Sequence, residues 1–429
     1  MKNSPLFHHC AVPPLDNTAL GEHVCKMTTE SFDIAVVGGG MVGLTLALGL
    51  AGVGARVAVI ERASLKDMAE ASFDGRGSAI AAGSQRILDG TGLWAPLAAD
   101  AEPILEIRVA DGASPLFLHY DHHEVGEGPL GWIVENAHTR RALAGAAERS
   151  GLSVFENAAL SGVRFEADTA TLELEDGRSV QARLAVAADG RNSTLRDLAG
   201  IDAVRWSYPQ TGIVCAVDHE EPHNGIAHEH FLPSGPFAIL PMTRNRSSIV
   251  WIERNDLAPE ILALDDGAFA DELKSRFGKF LGEVRVGPQR WSYPLSVVHA
   301  RRYVGSRLAL VGDAAHAIHP IAGQGFNLGL RDVAALAEVV VDRLRLGLDP
   351  GDAAALARYQ SWRKPDNMMM IAATDSLNRL FSNDVAPVRM ARDAGLAAVN
   401  QVAPLKRLLM RHAMGLVGDL PRLTRGEPL

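Results

Sequence analysis

Between Asp33 and Arg62 the sequence passes from a β-branched apolar run, Ile34 to Val37, through Gly38-Gly39-Gly40-Met41-Val42-Gly43 into small and apolar residues ending at Ala51. After Gly54, the run from Arg56 to Ile60 ends at Glu61. This order commits the chain to a strand, a tight turn, a helix and a second strand, one βαβ unit. The glycine spacing has a cause. The first glycine makes the turn, the second lets backbone N–H groups approach a pyrophosphate, and the third lets helix and strand pack closely, while the helix N-terminus favours negative charge. Glu61 stands where a carboxylate accepts hydrogen bonds from ribose hydroxyls and repels a 2'-phosphate. A Gly-rich turn in a buried βα unit would explain the glycines alone, but not strand, glycines, helix and acid together. The same expression recurs at Gly126-Glu127-Gly128-Pro129-Leu130-Gly131. There it follows a polar, His-rich loop and puts Pro129 where a backbone donor is needed, so it is rejected as a second nucleotide site.

The stretch from Ile34 to Ala55 has no charged residue and is long enough to span a bilayer. Its early glycines favour strand, phosphate loop and buried helix instead. The 429 residues exceed one hydrophobic core and suggest two intimately joined domains. A formal net charge of -9 argues against nucleic-acid partners, whose phosphates need neutralising Lys and Arg. Cys10, Cys25 and Cys215 show neither CxxC spacing nor an even framework, which fits a reducing compartment. Residues 1–30 lack the apolar core of a secretory signal, Met27 offers a downstream start, and the segment is read as a mobile leader.

Helical spacing returns over Asn136 to Ser150, and strand patterns fill residues 152–187. From Thr211 to Arg254, the runs Gly212 to Val217, Ala227 to Leu232, Phe237 to Leu240 and Ser248 to Ile252 alternate with Pro, Gly and Asn, predicting a second, antiparallel sheet. Helix follows at 258–278. Leu308 to Val311 is a short buried strand, and everything after Asp352 reads helical, punctuated by Pro365, Pro387 and Pro404.

Two further constellations sit at the ends of buried strands. Ala188-Asp189-Gly190-Arg191-Asn192-Ser193, with Arg196 one turn later, offers a carboxylate, a flexible glycine and several donors. Alone it is an Asp-Gly turn; beside a dinucleotide crevice it has a use. Leu310-Val311-Gly312-Asp313-Ala314-Ala315-His316 continues through His319 and Pro320 to Gly323-Gln324-Gly325-Phe326-Asn327-Leu328-Gly329. Asp313 can bind ribityl hydroxyls, and the glycines opening the next helix can bring N–H groups to a flavin and its pyrophosphate. His316 and His319 are read as hydrogen-bonded structural residues, since nothing nearby in sequence supplies a partner to tune them. No HExxH or Cys/His cluster supplies a metal site.

In this order the motifs resemble the single-component FAD monooxygenases of the para-hydroxybenzoate hydroxylase type. Within them, Asp74-Gly75-Arg76, Ser84-Gln85-Arg86-Ile87-Leu88, Gly92-Leu93-Trp94 and the run from His319 to Gly329 resemble the ubiquinone-biosynthesis (2-polyprenylphenol) hydroxylases. The resemblance covers about residues 31–415. It implies an α/β fold with a discontinuous Rossmann-type FAD-binding domain (31–75, 130–205 and 290–385), an inserted antiparallel-sheet substrate domain (76–129 and 206–289) and a helical C-terminal tail (386–429). It also implies FAD held by Gly38, Gly40, Gly43, Glu61, Arg76, Asp189, Gly190, Gly312, Asp313, Gly325 and Asn327. The implied flavin-face loop is Pro320, Gly323, Gln324 and Gly325, with no acid or base assigned. NADPH or NADH would visit the flavin as reductant, dioxygen would be co-substrate, and oxygen would reach a polyprenylated phenol through a flavin C4a-hydroperoxide. Phe231, Leu232, Phe237, Ile239 and Leu240 are expected to line the substrate pocket. The alternatives are a hydroxylase of a small soluble aromatic acid and a non-catalytic flavin-binding subunit of a biosynthetic complex.

From Ala386 to Arg425 the chain is locally basic, with Arg389, Arg392, Lys406, Arg407, Arg411, Arg422 and Arg425 against Asp393 and Asp419. Beside Leu405, Leu408, Leu409 and Met410, these charges suit contact with an anionic membrane surface or an acidic partner in a biosynthetic complex. A domain-packing helix with a solvated face fits equally well. The expected location is cytoplasmic, peripheral on the inner membrane face under the first reading.

Overall fold

The computed structural model describes residues 30–112, 114 and 117–429; apart from residue 30, the leader segment lies outside them. Glu30–Val37 forms the centre of a sheet and pairs in parallel with Val57–Ile60 on one side and Ser179–Ala187 on the other. Ser153–Phe155 and Leu308–Leu310 extend it, also in parallel. Parallel strands need crossovers and are buried on both faces. Accordingly Ile34, Ala35, Val36, Leu184, Ala185 and Val186 have no exposed surface. The helix Met41–Ala51 makes the first crossover, packing against Asn136–Ser150 and Gln324–Arg345.

Among the described residues the second sheet has nine strands. Ala203–His219, Ile226–Leu232, Gly235–Met242, Arg246–Arg254 and Trp291–Ala300 supply its main body, as the alternating sequence predicts. Its outer face carries Ile213, Cys215, Phe237, Ile239, Ile249 and Trp251. These pack against Phe269, Leu273 and Phe277 of the helix Asp266–Phe277. A small sheet of Gly77–Ala81, Ala101–Ile104 and Gly131–Glu135 joins the two layers.

The chain is interleaved more finely than the predicted boundaries. Ile80, Ile87, Leu88, Leu93 and Leu97 belong to the same buried cluster as Ile34 and Leu184, so residues 76–97 pack with the nucleotide-binding half. Of the expected 76–129 insertion, Glu106–Asp111 and Phe117–Asp121 join the second sheet. Ala203–His219 runs through the boundary placed at 205, and Trp291–Ala300, on the FAD-binding side of the boundary placed at 290, pairs with it in the second sheet. Pro365 does not punctuate: the helix Ala353–Phe381 continues through it. Pro387 and Pro404 do, each in the first turn of its helix, Ala386–Gln401 and Ala403–Ala413.

The tail is docked. Arg392, buried, grips Asp111 at 2.8 and 3.2 Å, Lys406 pairs with Glu124 at 2.5 Å, and Leu423 is fully buried in the first core. Among the described residues no helix is long and apolar enough to cross a membrane.

Candidate active site

Three loops converge at the carboxyl ends of the parallel strands, the usual location of a ligand crevice in open α/β sheets. Gly38 has φ +102°, and a Cβ there would lie 2.5 Å from the Ala188 carbonyl; one at Gly43 would lie 1.9 Å from the Gly38 oxygen. Close backbone approach therefore requires both. Gly40 differs: it is exposed at the head of an 11-residue helix, and a Cβ there would meet nothing within 4 Å. Open space before a row of helix N–H groups is what a pyrophosphate needs. Glu61 reaches under this loop, accepting from Gly39 N–H at 2.5 Å and from Ala63 N–H at 3.0 Å.

In the second loop Asp189 accepts from the Ser193 hydroxyl at 2.5 Å and from Leu195 N–H at 3.1 Å, so it caps the turn that follows. Gly190, at φ +81°, leaves the crevice floor open, since a Cβ there would meet no atom within 4 Å. Arg196 has a role that its sequence position does not reveal. Fully buried, it donates to the Arg191 carbonyl at 3.2 Å and the Ala314 carbonyl at 3.1 Å, tying the second loop to the third.

The third loop presents Asp313 with 45% of its side chain accessible, 3.9 Å from the Arg191 guanidinium. Burial in the crevice raises its pKa, although Arg191, His316 and Arg76 pull it down. An accessible carboxylate that is nonetheless desolvated lies in a recess, where ribityl hydroxyls would be good donors. Asp313→Ala is expected to weaken FAD retention at least tenfold, with unchanged folding; full flavin occupancy in the purified variant would remove Asp313 from the site.

Beneath this loop lies a network that the sequence does not disclose. Asp332, fully buried, accepts from Gly312 N–H at 3.0 Å, from Arg363 at 2.8 Å and from Asn367 at 3.2 Å, and it pairs with His316 at 2.5 Å. Burial alone would raise the Asp332 carboxyl, but the His316 and Arg363 charges and hydrogen bonds outweigh it and hold it down at about 2. His316 is thus structural, as expected, and its partner stands one helix away.

Pro320, exposed, opens the short turn Ile321–Gly323, and Gly323 has φ +60° with Ala79 2.9 Å from a Cβ placed there. The 22-residue helix Gln324–Arg345 begins at this loop, and Gly325 leaves open space above its first turn. Two of these side chains are engaged within the protein. Asn327 has no exposed surface. It donates to the Ala79 and Gly323 carbonyls at 2.7 and 3.1 Å and accepts from Ala81 N–H at 2.9 Å, so its side chain fixes the loop. The Gln324 amide, also buried, reaches the Ala413 carbonyl of the tail at 3.5 Å. Arg76 is half-exposed, paired with Asp74 at 2.6 Å and stacked 5.0 Å above Tyr293, within electrostatic reach of Asp313.

The opposite wall is the inner face of the second sheet. Ser248 donates to the Gly75 carbonyl at 3.4 Å, and Tyr293 to that of Asp74 at 3.0 Å. Ala227 and Leu240 pack towards Ala79 and Met410, and Phe231 towards Ile321. Phe237 and Ile239, expected in this wall, point outward into the helix-covered core, and Leu232 packs beside them. Both faces of these strands are apolar because both are covered, so hydrophobicity alone does not show which residues face the crevice.

A cradle of glycine loops on one wall and a largely apolar sheet on the other suit an FAD-binding enzyme acting on an apolar substrate. Space at Gly40 and Gly325, two helix N-termini and the accessible Asp313 fit that cofactor. Residues 31–374 match the family model described as an FAD binding domain. Ubiquinone hydroxylase UbiL of Rhodospirillum rubrum is 54% identical over 402 residues, spanning 92% of this chain and 93% of its own. The 3-demethoxyubiquinol 3-hydroxylase of Escherichia coli is 37% identical, spanning 91% and 100%. The crystal structure of p-nitrophenol 4-monooxygenase PnpA from Pseudomonas putida superposes with a TM-score of 0.77 at 21% identity over 91% of this chain and 100% of its own, a likeness of fold. The chain belongs to the ubiquinone-biosynthesis hydroxylase family of FAD-dependent monooxygenases.

Proposed function

We propose that this protein hydroxylates the aromatic ring of a polyprenylated phenol in ubiquinone biosynthesis, using a nicotinamide reductant and dioxygen. What supports the reading is the open space at Gly40 and Gly325 and the accessible Asp313 on the cofactor side, with the apolar inner face of Ala227, Phe231 and Leu240 packed toward the flavin-face loop. Bound FAD supplies the redox chemistry that activates dioxygen. The chain holds the dinucleotide through Gly38, Gly40, Gly43, Glu61, Gly190, Gly312 and Asp313, while Asp189 and Asn327 hold those loops in shape. The apolar wall excludes water from the reacting ring. A buried prenyl tail would contribute about 0.8 kcal/mol per methylene, enough for a head group held by few polar contacts. The test compares NAD(P)H consumed with hydroxylated product for a short-prenyl phenol and for para-hydroxybenzoate. Coupled turnover of the prenylated phenol supports the reading; coupled turnover of the small acid alone favours the soluble-substrate alternative.

The tail gives this activity a place to occur. On the helix Ala403–Ala413, Lys406 and Met410 turn inward, while Leu405, Leu408 and Leu409 are exposed beside exposed Arg407 and Arg411. This apolar and cationic face suits the surface of an anionic bilayer, where a polyprenylated substrate resides. Leu408→Glu with Leu409→Glu should reduce sedimentation with anionic vesicles several-fold and leave FAD content unchanged. Equal sedimentation would assign this face to solvent or to a protein partner.

A further inference from the structure

Glu229 stands at the middle of the strand Ile226–Leu232, its Cα opposite Ala238 on one neighbouring strand and Val109 on the other. Alternation puts it on the inner face with Ala227 and Phe231. Ala227 packs beside Ala79 and Met410, and Phe231 against Ile321. Glu229 therefore looks out between the strand Gly77–Ala81, the flavin-face loop and the helix Ala403–Ala413. It is partly accessible, and its carboxylate has no hydrogen bond or ion pair among the described residues. A carboxylate with no partner on an apolar wall is expensive to keep unless something in the crevice uses it. Tyr120, another polar group of this region, is likewise without a partner among the described residues.

We propose that Glu229 is a catalytic residue that accepts the proton of the substrate's ring hydroxyl, an inference that rests on the phenol reading above. The phenolic O–H bond breaks, its proton passes to the carboxylate, and the electron pair left on oxygen enriches the ring carbon that receives oxygen from the established flavin chemistry. The proton returns when the product leaves. Other charges near this face are already neutralised: Asp111 by Arg392, Lys406 by Glu124, and Glu135 by Arg246. Burial, with no charge contributing, pushes Glu229 up to about 7, so it changes state near neutral pH, and burial likewise raises Tyr120 to about 12, leaving it neutral there. The base form of Glu229 is present above about 7.

The experiment uses the FAD-loaded full chain, its isosteric variant Glu229→Gln, and a short-prenyl phenol. In the parent, single-turnover hydroxylation should rise with pH through about 7, and binding should produce the ultraviolet difference spectrum of a phenolate. In Glu229→Gln both the rise and the phenolate signal should vanish. Product per NAD(P)H should fall tenfold or more, with FAD content unchanged and a melting temperature at pH 8 equal to or above the parent's. A folded Glu229→Gln that keeps the pH profile and the phenolate signal overturns the assignment. A parent that hydroxylates no prenylated phenol, but shows both features with a small phenolic acid, overturns the substrate reading and leaves Glu229 as the base.

Discussion

Gly43→Ala is expected to yield colourless protein, with FAD bound a hundredfold or more weakly, a loss of about 2.7 kcal/mol. The added methyl would lie 1.9 Å from the Gly38 carbonyl oxygen, and that loop cannot retreat because Gly38 itself already abuts the Ala188 carbonyl. Helix and loop must separate, moving the N–H groups that face the pyrophosphate. Gly40→Ala is the matched comparison. Its Cβ meets no protein atom, so the variant should melt like the parent and lose flavin only because the methyl enters the cofactor's space. Flavin titration and thermal melting of the two variants separate these causes. Parental flavin affinity in Gly43→Ala would refute the close-approach argument.

Asp332→Ala should be among the most destabilising single changes in the described structure, at roughly 3–5 kcal/mol, because it breaks a buried ion-pair network and leaves the Arg363 guanidinium with Asp366 as its remaining counter-charge. Arg363 and His316 would lose the shared carboxylate, and Gly312 N–H its acceptor. Flavin should be lost in parallel, since Gly312 begins the turn that presents Asp313. The pH dependence has a definite sign. The Asp332 pKa is depressed in the folded protein to about 2, so its contribution is complete above the ordinary carboxylate range and fades as pH falls from about 4 towards 2. The parent's melting temperature should therefore exceed the variant's by a nearly constant margin from about pH 5 to 8, and the margin should shrink below about pH 4. Melting curves at a series of pH values provide the check, and an unchanged melting temperature in the variant would show that the network is dispensable.

The parts of the site that are legible in the sequence are those whose physics is local. Gly38, Gly40 and Gly43 with Glu61, and the Asp313 turn, each lie within one strand-turn-helix unit, where spacing alone carries the constraint. The residues that brace them act across the fold. Arg196 meets Ala314 at a separation of 118 residues, and Asn327 meets Ala79 at 248. Such pairs depend on which elements become neighbours, which no local pattern encodes. Asn327 reads as a cofactor ligand because it belongs to the flavin-face motif, and only the fold shows its side chain holding that motif against Gly77–Ala81. The pocket residues are ambiguous for a related reason. Phe237 and Ile239 alternate with Ala238 and Leu240, and only the position of the helix Asp266–Phe277 decides which set is outside. Glu229 is not legible in the sequence either: between His228 and His230 it reads as one of three polar residues in a row, and only the packing of its face sets it apart.

The strand Ala203–His219 pairs at its start with Ser296–Ala300, and that partner pairs in turn with His316–Ala317 through Val298 and His299. The turn bearing Asp313 is therefore laced by backbone hydrogen bonds to the sheet bearing Glu229. A hinge between cofactor half and substrate half would have to tear this lacing, so the gap between flavin and ring is set as a fixed gauge. Traffic of substrate and product must then pass through side-chain and loop movements at the rim, and thermal unfolding of the two halves should register as one cooperative transition.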